Sequence, residues 1–399
     1  MTMHISSTPI PDLADYLAQD VSTRADEADI QGKLPLEDVQ ALQNSGYLTI
    51  SVPRQYGGQG ASLLDCVAAQ LKLAEGSGST AIVAGMPIHI FGHARETSRW
   101  EEETYAGFCQ EVVKNNAIFN SVASEPQLGS PSRGGLPQST AAQHPEGWVV
   151  NGHKIWTTGG RHLTHMLVRV HIDDDPAVVL VKQDMPGISW EETWLDSMSL
   201  RASDSHDVFF DNVIVPPENL VERGKNPGPP APSVWFPMIM ASVYLGCAFA
   251  ARNAIIKFAL ERVPTALGKP ISTLPKIQRQ IGEIDIALQG ARALMFEAAS
   301  LWNGDNKTRD KIFPRMVAAK YLAIETANDI TDKALRVAGG QGISKTLPLE
   351  RYFRDVRAGH MQRPYYVVPS HDSRRRRSYC ARYCQRVRPT YHIPLPVSQ

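Results

Sequence analysis

The stretch Gly147–Gly160, GWVVNGHKIWTTGG, sets the interpretation of the whole chain. Its apolar residues predict two β-strands joined by a tight turn, because the dipeptide Asn151-Gly152 tolerates a positive φ at both turn positions. The second strand leads to Trp156, which two threonines and two glycines follow. An indole beside small hydroxyls can stack on a flat polar ring while Thr158 hydrogen-bonds to the edge of that ring. A surface hairpin with a core tryptophan explains the same pattern.

A second polar stretch lies upstream, at Ala123–Ser130, with the sequence ASEPQLGS. It follows the apolar run Ala117–Phe119, so a strand is predicted to run into a loop. In this order and at about this spacing, the two stretches resemble the flavin-binding middle domain of acyl-CoA dehydrogenases. In that family the loop reads roughly T-E-P-x-A-G-S-D and the later segment N-G-x-K-x-W-I-T-N. Two departures are visible: Ser124 stands at the family's threonine and Pro131 at its aspartate.

The resemblance implies a flavin site that both stretches build. Ala123 and Ser124 would meet the flavin ring, and Trp156 would stack on it. Thr158 would reach the N5/O4 edge of the ring. Ser130 would lie where the family binds the pyrophosphate region of acyl-CoA.

The composition is that of a globular protein long enough for two or three domains. The chain has 399 residues, 43% of them hydrophobic and 21% charged, with a formal net charge of zero. This balance gives no overall attraction to nucleic acid or to an anionic membrane. Five cysteines show no paired framework, and the isolated Cys380/Cys384 spacing is weak evidence for metal, so no metal site is predicted. The N-terminus lacks a signal-peptide pattern, and we predict a cytoplasmic, reducing location.

Hydrophobic periodicity divides the chain into four parts. Residues 1–115 have helical spacing and predict an N-terminal α-helical domain. Residues 116–230 alternate with period two, which predicts a small antiparallel β-domain, a barrel or a sandwich. Residues 231–363 carry heptad-like stripes that predict a four-helix-type bundle. The predicted fold class is α+β, mostly α, followed by a divergent basic tail at residues 364–399.

Three helices are predicted in more detail. The apolar run Trp235–Ala251 is shorter than the roughly 20 residues that span a bilayer, so it predicts a helix buried inside the bundle. A long helix is predicted over Pro314–Val337, with the proline in its first turn. Ser62 is predicted to cap the helix that follows it.

Two segments with glycines interrupt the helical pattern, Arg262–Pro270 and Arg336–Ile343. They resemble the family loops that bind the ADP half of FAD across a subunit boundary, although Arg336 replaces a glutamine and the first loop lacks a phenylalanine. An arginine can pair with a pyrophosphate, and glycine N–H groups allow close approach. A helix C-cap also explains the second segment. The resemblance implies a homodimer or homotetramer and, as FAD-binding residues, Arg262, Gly339, Gly340 and Gly342.

The catalytic base that the resemblance implies is missing. The family places a glutamate at one of two positions, which fall on Arg363 and Phe236 in this chain. Removal of an α-proton from a thioester needs a base whose pKa is near neutrality, and a guanidinium stays protonated. The weak substitutes are Asp355, His360 and Asp207. The catalytic residue is therefore left unassigned.

The last segment, residues 364–399, differs in composition from the rest. It contains seven arginines, four of them at 374–377, together with five prolines and no helical period. The family has a final helix at this place. A disordered tail explains the change, and so does an altered reading frame that begins near Arg363.

Three functions remain open from the sequence. The first is an FAD-dependent oxidoreductase that dehydrogenates an acyl-CoA between its α and β carbons, with electron-transfer flavoprotein or oxygen as acceptor. The second is a flavin-dependent monooxygenase of the same superfamily, which needs no α-proton base. The third is a catalytically impaired homologue.

Overall fold

The computed structural model describes residues 8–128, 135–224, 234–302 and 306–362. Its N-terminal part is helical up to Asn115, as predicted. The helices are α1 (Ile10–Ser22), α2 (Ala25–Gln31), α3 (Leu36–Asn44), α4 (Leu63–Gly76), α5 (Gly78–Thr97) and α6 (Glu102–Asn115). Ser62 begins α4 with a reciprocal capping box to Asp65, which confirms the predicted cap. Three sequence predictions concern residues outside the described part: Ser130, Arg363 and the tail 364–399.

One sheet of eight strands occupies the described middle part of the chain. The strands are β1 (Phe119–Val122), β2 (Thr140–His144), β3 (Gly147–Thr157), β4 (His165–Ile172), β5 (Asp175–Lys182), β6 (Ile188–Glu191), β7 (His206–Val215) and β8 (Leu220–Arg223). Their order is β6-β7-β3-β2-β4-β5-β8, with β1 paired to β4. The pairings of β4 with β1 and with β2 are parallel, and the others are antiparallel. The predicted β-domain is confirmed, with these two parallel pairings as a difference.

The predicted turn at Asn151-Gly152 is wrong, because β3 continues through both residues. The hairpin turn lies at residues 145–146, before β3, and joins it to β2, a strand that the sequence did not reveal. A Cβ on Gly152 would lie 2.1 Å from the hydroxyl oxygen of Ser139, so this glycine permits close packing. Asn151 accepts a hydrogen bond of 2.8 Å from the backbone of Asn212, where the register to β7 shifts. The dipeptide therefore serves a bulge and not a turn.

The C-terminal part is helical. Its α-helices are α7 (Trp235–Glu261), α8 (Pro275–Leu301), α9 (Asn306–Ala338), α10 (Leu349–Asp355) and α11 (Ala358–Met361). α9 begins well before Pro314, so the prediction of that proline in the first turn is wrong. Ile312 and Met316 are buried on either side of it, and we attribute the tolerance of one lost backbone hydrogen bond to their burial.

Helix α7 is at the centre of the packing. Its residues from 235 to 251 are buried with the exception of Phe236, and the helix lies against α4, α5 and α9. This surrounding explains why its apolar residues lie on every face. The indole of Trp235 lies so close to Gly92 of α5 that an added Cβ would come within 2.3 Å of it. The helix has the length and hydropathy of a membrane span, but 78% of that apolar segment is buried in the protein. The predicted buried helix is confirmed.

Candidate flavin site

Trp156 stands at the carboxyl end of β3 with 57% of its surface exposed. The interpretation as a core tryptophan is therefore wrong. Its backbone has φ +57°, a left-handed conformation that residues with a side chain rarely adopt. Such a conformation costs about 1–3 kcal/mol and is concentrated at functional sites. The strained backbone and the open indole together mark a candidate ligand-binding position.

The loop after β1 lies against the end of β3. The backbone N–H of Ile155 donates a hydrogen bond of 3.0 Å to the carbonyl oxygen of Ser124. The side chain of Asn120 donates one of 2.9 Å to the carbonyl oxygen of Thr158. These two bonds connect β1 and its loop to both sides of the indole. They bring together four residues that the resemblance implies for the flavin: Ala123, Ser124, Trp156 and Thr158.

The two threonines after the indole differ in their hydrogen-bond partners. The hydroxyls of Thr158 and Ser205 share a hydrogen bond of 2.9 Å. The hydroxyl of Thr157 is buried and has no partner among the described residues. A buried hydroxyl without a partner costs the folded chain free energy, and its burial separates it from the exposed indole. The open indole, with the hydroxyl of Thr158 close to it in the chain and Ser124 bonded to its neighbour Ile155, fits a flat ring with a polar edge, as a flavin has.

A buried ion pair supports the loop from the interior. The Nζ of Lys154 lies 2.6 Å from Oε1 of Glu125, and their side chains are 0% and 1% exposed. Burial alone would raise the pKa of Glu125, but Lys154 and hydrogen bonds from Gln138 and Ser139 lower this pKa to about 2. Lys154 also donates to the carbonyl oxygen of Arg169 on β4. The ionised pair therefore joins β3, β4 and the loop after β1.

Two half-buried histidines on α5 were missed by the sequence prediction. The rings of His89 and Phe236 are in contact, with 5.0 Å between their centroids. Burial lowers the pKa of His89 to about 3 and that of His93 to about 4, and the charge of Arg99 adds to both shifts. Both imidazoles are neutral at pH 7. The neutral imidazole of His89 therefore contacts Phe236, which occupies one of the two positions where the resemblance implies a glutamate. The spacing of four residues between the two histidines, which places both on one side of a helix, was the available signal, and histidines in a core can have the same spacing.

The three substitutes for the missing base already have partners. Asp355 is buried, its carboxylate accepts a backbone hydrogen bond of 2.9 Å, and burial raises its pKa to about 6. Asp207 lies 2.7 Å from the ring nitrogen of His153. His360 lies 3.4 Å from Glu325 at the surface. The structure therefore gives none of them the position of a free base.

The residues implied for the ADP half of FAD follow the C-terminal ends of two helices, α7 and α9. Arg262 directly follows α7 and is exposed. Gly339 follows α9 with φ +63°, the geometry of a helix C-cap. Gly342 packs closely, since an added Cβ would lie 2.6 Å from the carbonyl oxygen of Leu335, while Gly340 faces open space. Backbone conformation thus explains Gly339 and close packing explains Gly342, and the role of all four residues in FAD binding stays a prediction.

Acid is expected to destabilise the fold through its buried histidines. His165 stacks on Phe119 at 4.5 Å between ring centroids, and burial lowers its pKa to about 4. Histidine in an unfolded chain titrates near pH 6.5, so the unfolded state takes up protons first as the pH falls. We therefore expect the free energy of unfolding to decrease from about pH 6.5 down to about pH 4. Urea unfolding followed by circular dichroism at a series of pH values measures this slope.

A pair of variants separates His165 from the other titrating groups. His165→Phe keeps a ring against Phe119 and removes the titration, so its free energy of unfolding should depend less steeply on pH. Leu260→Gln changes an exposed residue that does not titrate, and its slope should match the unmodified protein. Equal slopes in all three proteins would contradict a neutral, buried His165.

Family models match most of the chain. The acyl-CoA dehydrogenase N-terminal domain matches residues 12–107, the middle domain 121–213 and the C-terminal domain 238–363. The putative acyl-CoA dehydrogenase YdbM of Bacillus subtilis (strain 168) is 37% identical over 345 residues, which is 86% of this chain and 90% of that protein. The mitochondrial short-chain specific acyl-CoA dehydrogenase of Rattus norvegicus is 27% identical over 88% of each chain.

A solved structure shows the same fold. FMN-bound TdsC from Paenibacillus sp. A11-2, a dibenzothiophene monooxygenase, superposes with a TM-score of 0.80. The match covers 89% of this chain and 94% of TdsC at 23% sequence identity. At this identity the likeness shows the fold alone.

Proposed function

The chain belongs to the acyl-CoA dehydrogenase family, whose cofactor is FAD, and from this premise we propose that it dehydrogenates an acyl-CoA between the α and β carbons. One observation carries the proposal beyond family membership. The strained, exposed Trp156 lies beside the Ser124 loop and is followed closely by the hydroxyl of Thr158. This arrangement offers a flat apolar face with a polar margin, as an isoalloxazine ring requires.

The chain's own residues would bind and orient the ring. When bound, the flavin supplies an acceptor for the β-hydride at N5. Trp156 would support one face of the ring, and Ser124 and Thr158 would hydrogen-bond to its edge. The ion pair of Glu125 and Lys154 would keep the Ser124 loop in register with β3, because the carboxylate follows Ser124 directly in the chain.

A flavin-dependent monooxygenase is the second candidate, and one observation favours it. Phe236 offers no carboxylate, and burial lowers the pKa of His89, whose ring contacts it, to about 3. A base with so low a pKa is a weak acceptor for an α-proton at pH 7. A reaction of reduced flavin with oxygen requires no α-proton base. Such a reaction is therefore compatible with Phe236 and a neutral His89 at this position.

Flavin content and its response to acyl-CoA test the proposal. We expect the purified protein to be yellow or to become yellow with added FAD, with the visible absorbance band of an oxidised flavin. Anaerobic addition of acyl-CoAs of increasing chain length should bleach this band if the enzyme is a dehydrogenase. A monooxygenase should keep its colour under those conditions and consume oxygen when its flavin is reduced. The protein with its flavin removed is the control for both measurements.

Each outcome assigns one of the three functions. Bleaching by an acyl-CoA without oxygen supports dehydrogenation and rejects the monooxygenase. Oxygen consumption by the reduced holoenzyme without acyl-CoA bleaching reverses that assignment. A protein that stays colourless after addition of FAD overturns both and supports a catalytically impaired homologue.

Assembly, acceptor and location belong to the same proposal. We propose a homodimer or homotetramer in which Arg262 and Gly340, both exposed in the single chain, approach the FAD of a neighbouring subunit. Electron-transfer flavoprotein or oxygen would accept the electrons. The buried, unpaired cysteines Cys66, Cys109 and Cys247 suit a reducing cytoplasm. Sedimentation of the FAD-loaded protein and of Arg262→Ala would show whether this arginine supports both assembly and FAD retention.

A further inference from the structure

Arg169 lies next to the loop that carries Ala123 and Ser124. Strands β1 and β4 are parallel, and Val122 pairs with Val168, so the next residues along the two strands are Ala123 and Arg169. Neighbouring strands are about 4.8 Å apart. The backbone carbonyl of Arg169 also accepts a hydrogen bond from Lys154, the lysine of the buried ion pair. Arg169 is therefore fixed at the edge of the candidate flavin site.

The side chain of Arg169 lies on the face of the sheet opposite to that of its two neighbours in β4. Its neighbours Val168 and Val170 are fully buried on one face, and alternation along a strand places Arg169 on the other. On that face His165 stacks on Phe119, which in turn contacts Phe91 of α5. Arg169 therefore faces the N-terminal helices, on the side where Ala123 also lies.

The guanidinium of Arg169 has no ion pair or side-chain hydrogen bond in the described part of the chain, although the residue is half-buried. Burial lowers the pKa of Arg169, and the charge of Arg99 lowers it further. The two carboxylates that act on it are taken by other cations. Glu222 accepts two hydrogen bonds from Arg99 and one from the indole of Trp100. Glu125 belongs to the ion pair with Lys154.

A half-buried guanidinium without a counter-ion is costly to the folded protein. Its planar group of five donors matches the oxygens of a carboxylate or a phosphate. The two carboxylates that act on it, Glu222 and Glu125, already pair with other cations, and Arg99 is a second positive charge nearby. The local field therefore favours a bound anion.

We propose that Arg169 binds an anionic group of the substrate, a carboxylate or a phosphate, and so selects acidic substrates at the flavin site. The inference deepens the proposed function and rests on it. Two sources supply this chemistry, the phosphates of the CoA moiety and a carboxylate at the far end of a dicarboxylic acyl group. Both would form charge-assisted hydrogen bonds with the same donors.

Three ligands distinguish the two sources, because all of them carry the CoA phosphates and only one of them adds a terminal carboxylate. Free CoA, butanoyl-CoA and glutaryl-CoA are titrated into the FAD-loaded protein and into Arg169→Met, and binding is followed by perturbation of the flavin absorbance. Loss of one charge-assisted contact should raise a Kd by about tenfold or more. If Arg169 binds phosphate, Kd rises for all three ligands. If it binds the acyl carboxylate, Kd rises for glutaryl-CoA and stays within about twofold for the others.

Matched variants separate binding from structural damage. Arg223→Met removes an arginine of β8 that pairs with Asp173 at the surface, and it should leave every Kd within about twofold. Arg169→Lys keeps the charge and should recover part of the affinity. Because the unpaired cation destabilises the ligand-free protein, Arg169→Met should have a Tm equal to or above the unmodified protein. Unchanged Kd values for all three ligands, or a lowered Tm of Arg169→Met, would overturn the proposal.

A final experiment tests Arg169 even if the proposed function is wrong. If the protein binds neither FAD nor a CoA thioester, the function is wrong, but Arg169 can still be tested with simple anions. Pyrophosphate and glutarate should raise the Tm of the unmodified protein and of Arg223→Met more than that of Arg169→Met. Equal shifts in all three proteins would show that Arg169 binds no anion.

Discussion

Lys154→Met is expected to lower the free energy of unfolding by about 3–5 kcal/mol. The substitution keeps the length of the side chain but leaves the carboxylate of Glu125 buried without its cation. The remaining hydrogen bonds from Gln138 and Ser139 cannot replace the lost charge, because a charge in a low-dielectric interior needs a counter-charge. Urea unfolding at pH 7, followed by circular dichroism, measures the loss.

Two further variants identify the buried charge as the cause. The double variant Glu125→Gln with Lys154→Met removes both charges, while the amide can still accept from Ser139, so it should be more stable than Lys154→Met alone. Lys72→Met breaks the pairs of Lys72 with Asp15 and Glu75, which are partly exposed to solvent, and should cost only about 1 kcal/mol. A double variant no more stable than Lys154→Met would argue against an uncompensated Glu125.

The same ion pair has a consequence for the flavin site. Glu125 follows Ser124, so a carboxylate that moves toward water takes the Ser124 carbonyl away from Ile155. Lys154→Met that remains folded should therefore retain less FAD than Lys72→Met during gel filtration. Stability and cofactor retention are coupled here because one pair of side chains holds both the strand and the loop.

The order of helical, sheet and helical segments was predictable because periodicity is a local property. The capping box of Ser62 and the uninterrupted apolar run of α7 carry their signals within a few residues. The run at 235–251 predicts burial on every face, and the packing of α4, α5 and α9 around it supplies that burial. For such elements, sequence pattern and tertiary environment agree.

The sequence predictions that proved wrong concern residues whose contacts are distant in sequence. Asn151-Gly152 has the composition of a turn, but the contacts with Ser139 and Asn212 hold it in a strand. The strand at 140–144, TAAQH, contains few β-formers and exists because β3 and β4 flank it. Pro314 was placed in a first turn by its usual preference, and packing in the bundle extends α9 beyond it. Tertiary context overrides local propensity in all three cases.

The residues of the candidate site also fall into two groups, those that short sequence motifs predict and those that only tertiary contacts reveal. Ala123, Ser124, Trp156 and Thr158 were found because they lie in two short motifs, and the bond between Ile155 and Ser124 brings those motifs together. Arg169 and His89 belong to segments that read as an ordinary strand and an ordinary helix. Arg169 is of interest because no counter-ion pairs with it among the described residues, and His89 because it contacts Phe236. Neither property is encoded by spacing along the chain.

Trp156→Gly is expected to weaken FAD binding by about tenfold to a hundredfold without lowering the stability of the cofactor-free protein. Stacking of an aromatic side chain on a planar heterocycle contributes about 1–3 kcal/mol, and glycine removes all of it. Glycine also adopts φ +57° without strain, so the cost of about 1–3 kcal/mol that Trp156 carries disappears. Fluorescence titration of the apoprotein with FAD and thermal unfolding of the same sample measure the two effects.

A loss of FAD affinity without a loss of stability is expected only if the Trp156 indole binds the cofactor and does not serve packing. A tryptophan that served packing would lower the Tm when it is replaced by glycine, but the indole is 57% exposed and loses few contacts. Trp156→Phe is the matched control, because it keeps a smaller ring at the same strained position and should retain part of the FAD affinity with an unchanged Tm. FAD affinity within about twofold in Trp156→Gly would remove the indole from the cofactor site. A Tm that falls by several degrees would instead assign the residue to the structural core, since strained conformations persist where the surrounding structure or a ligand requires them.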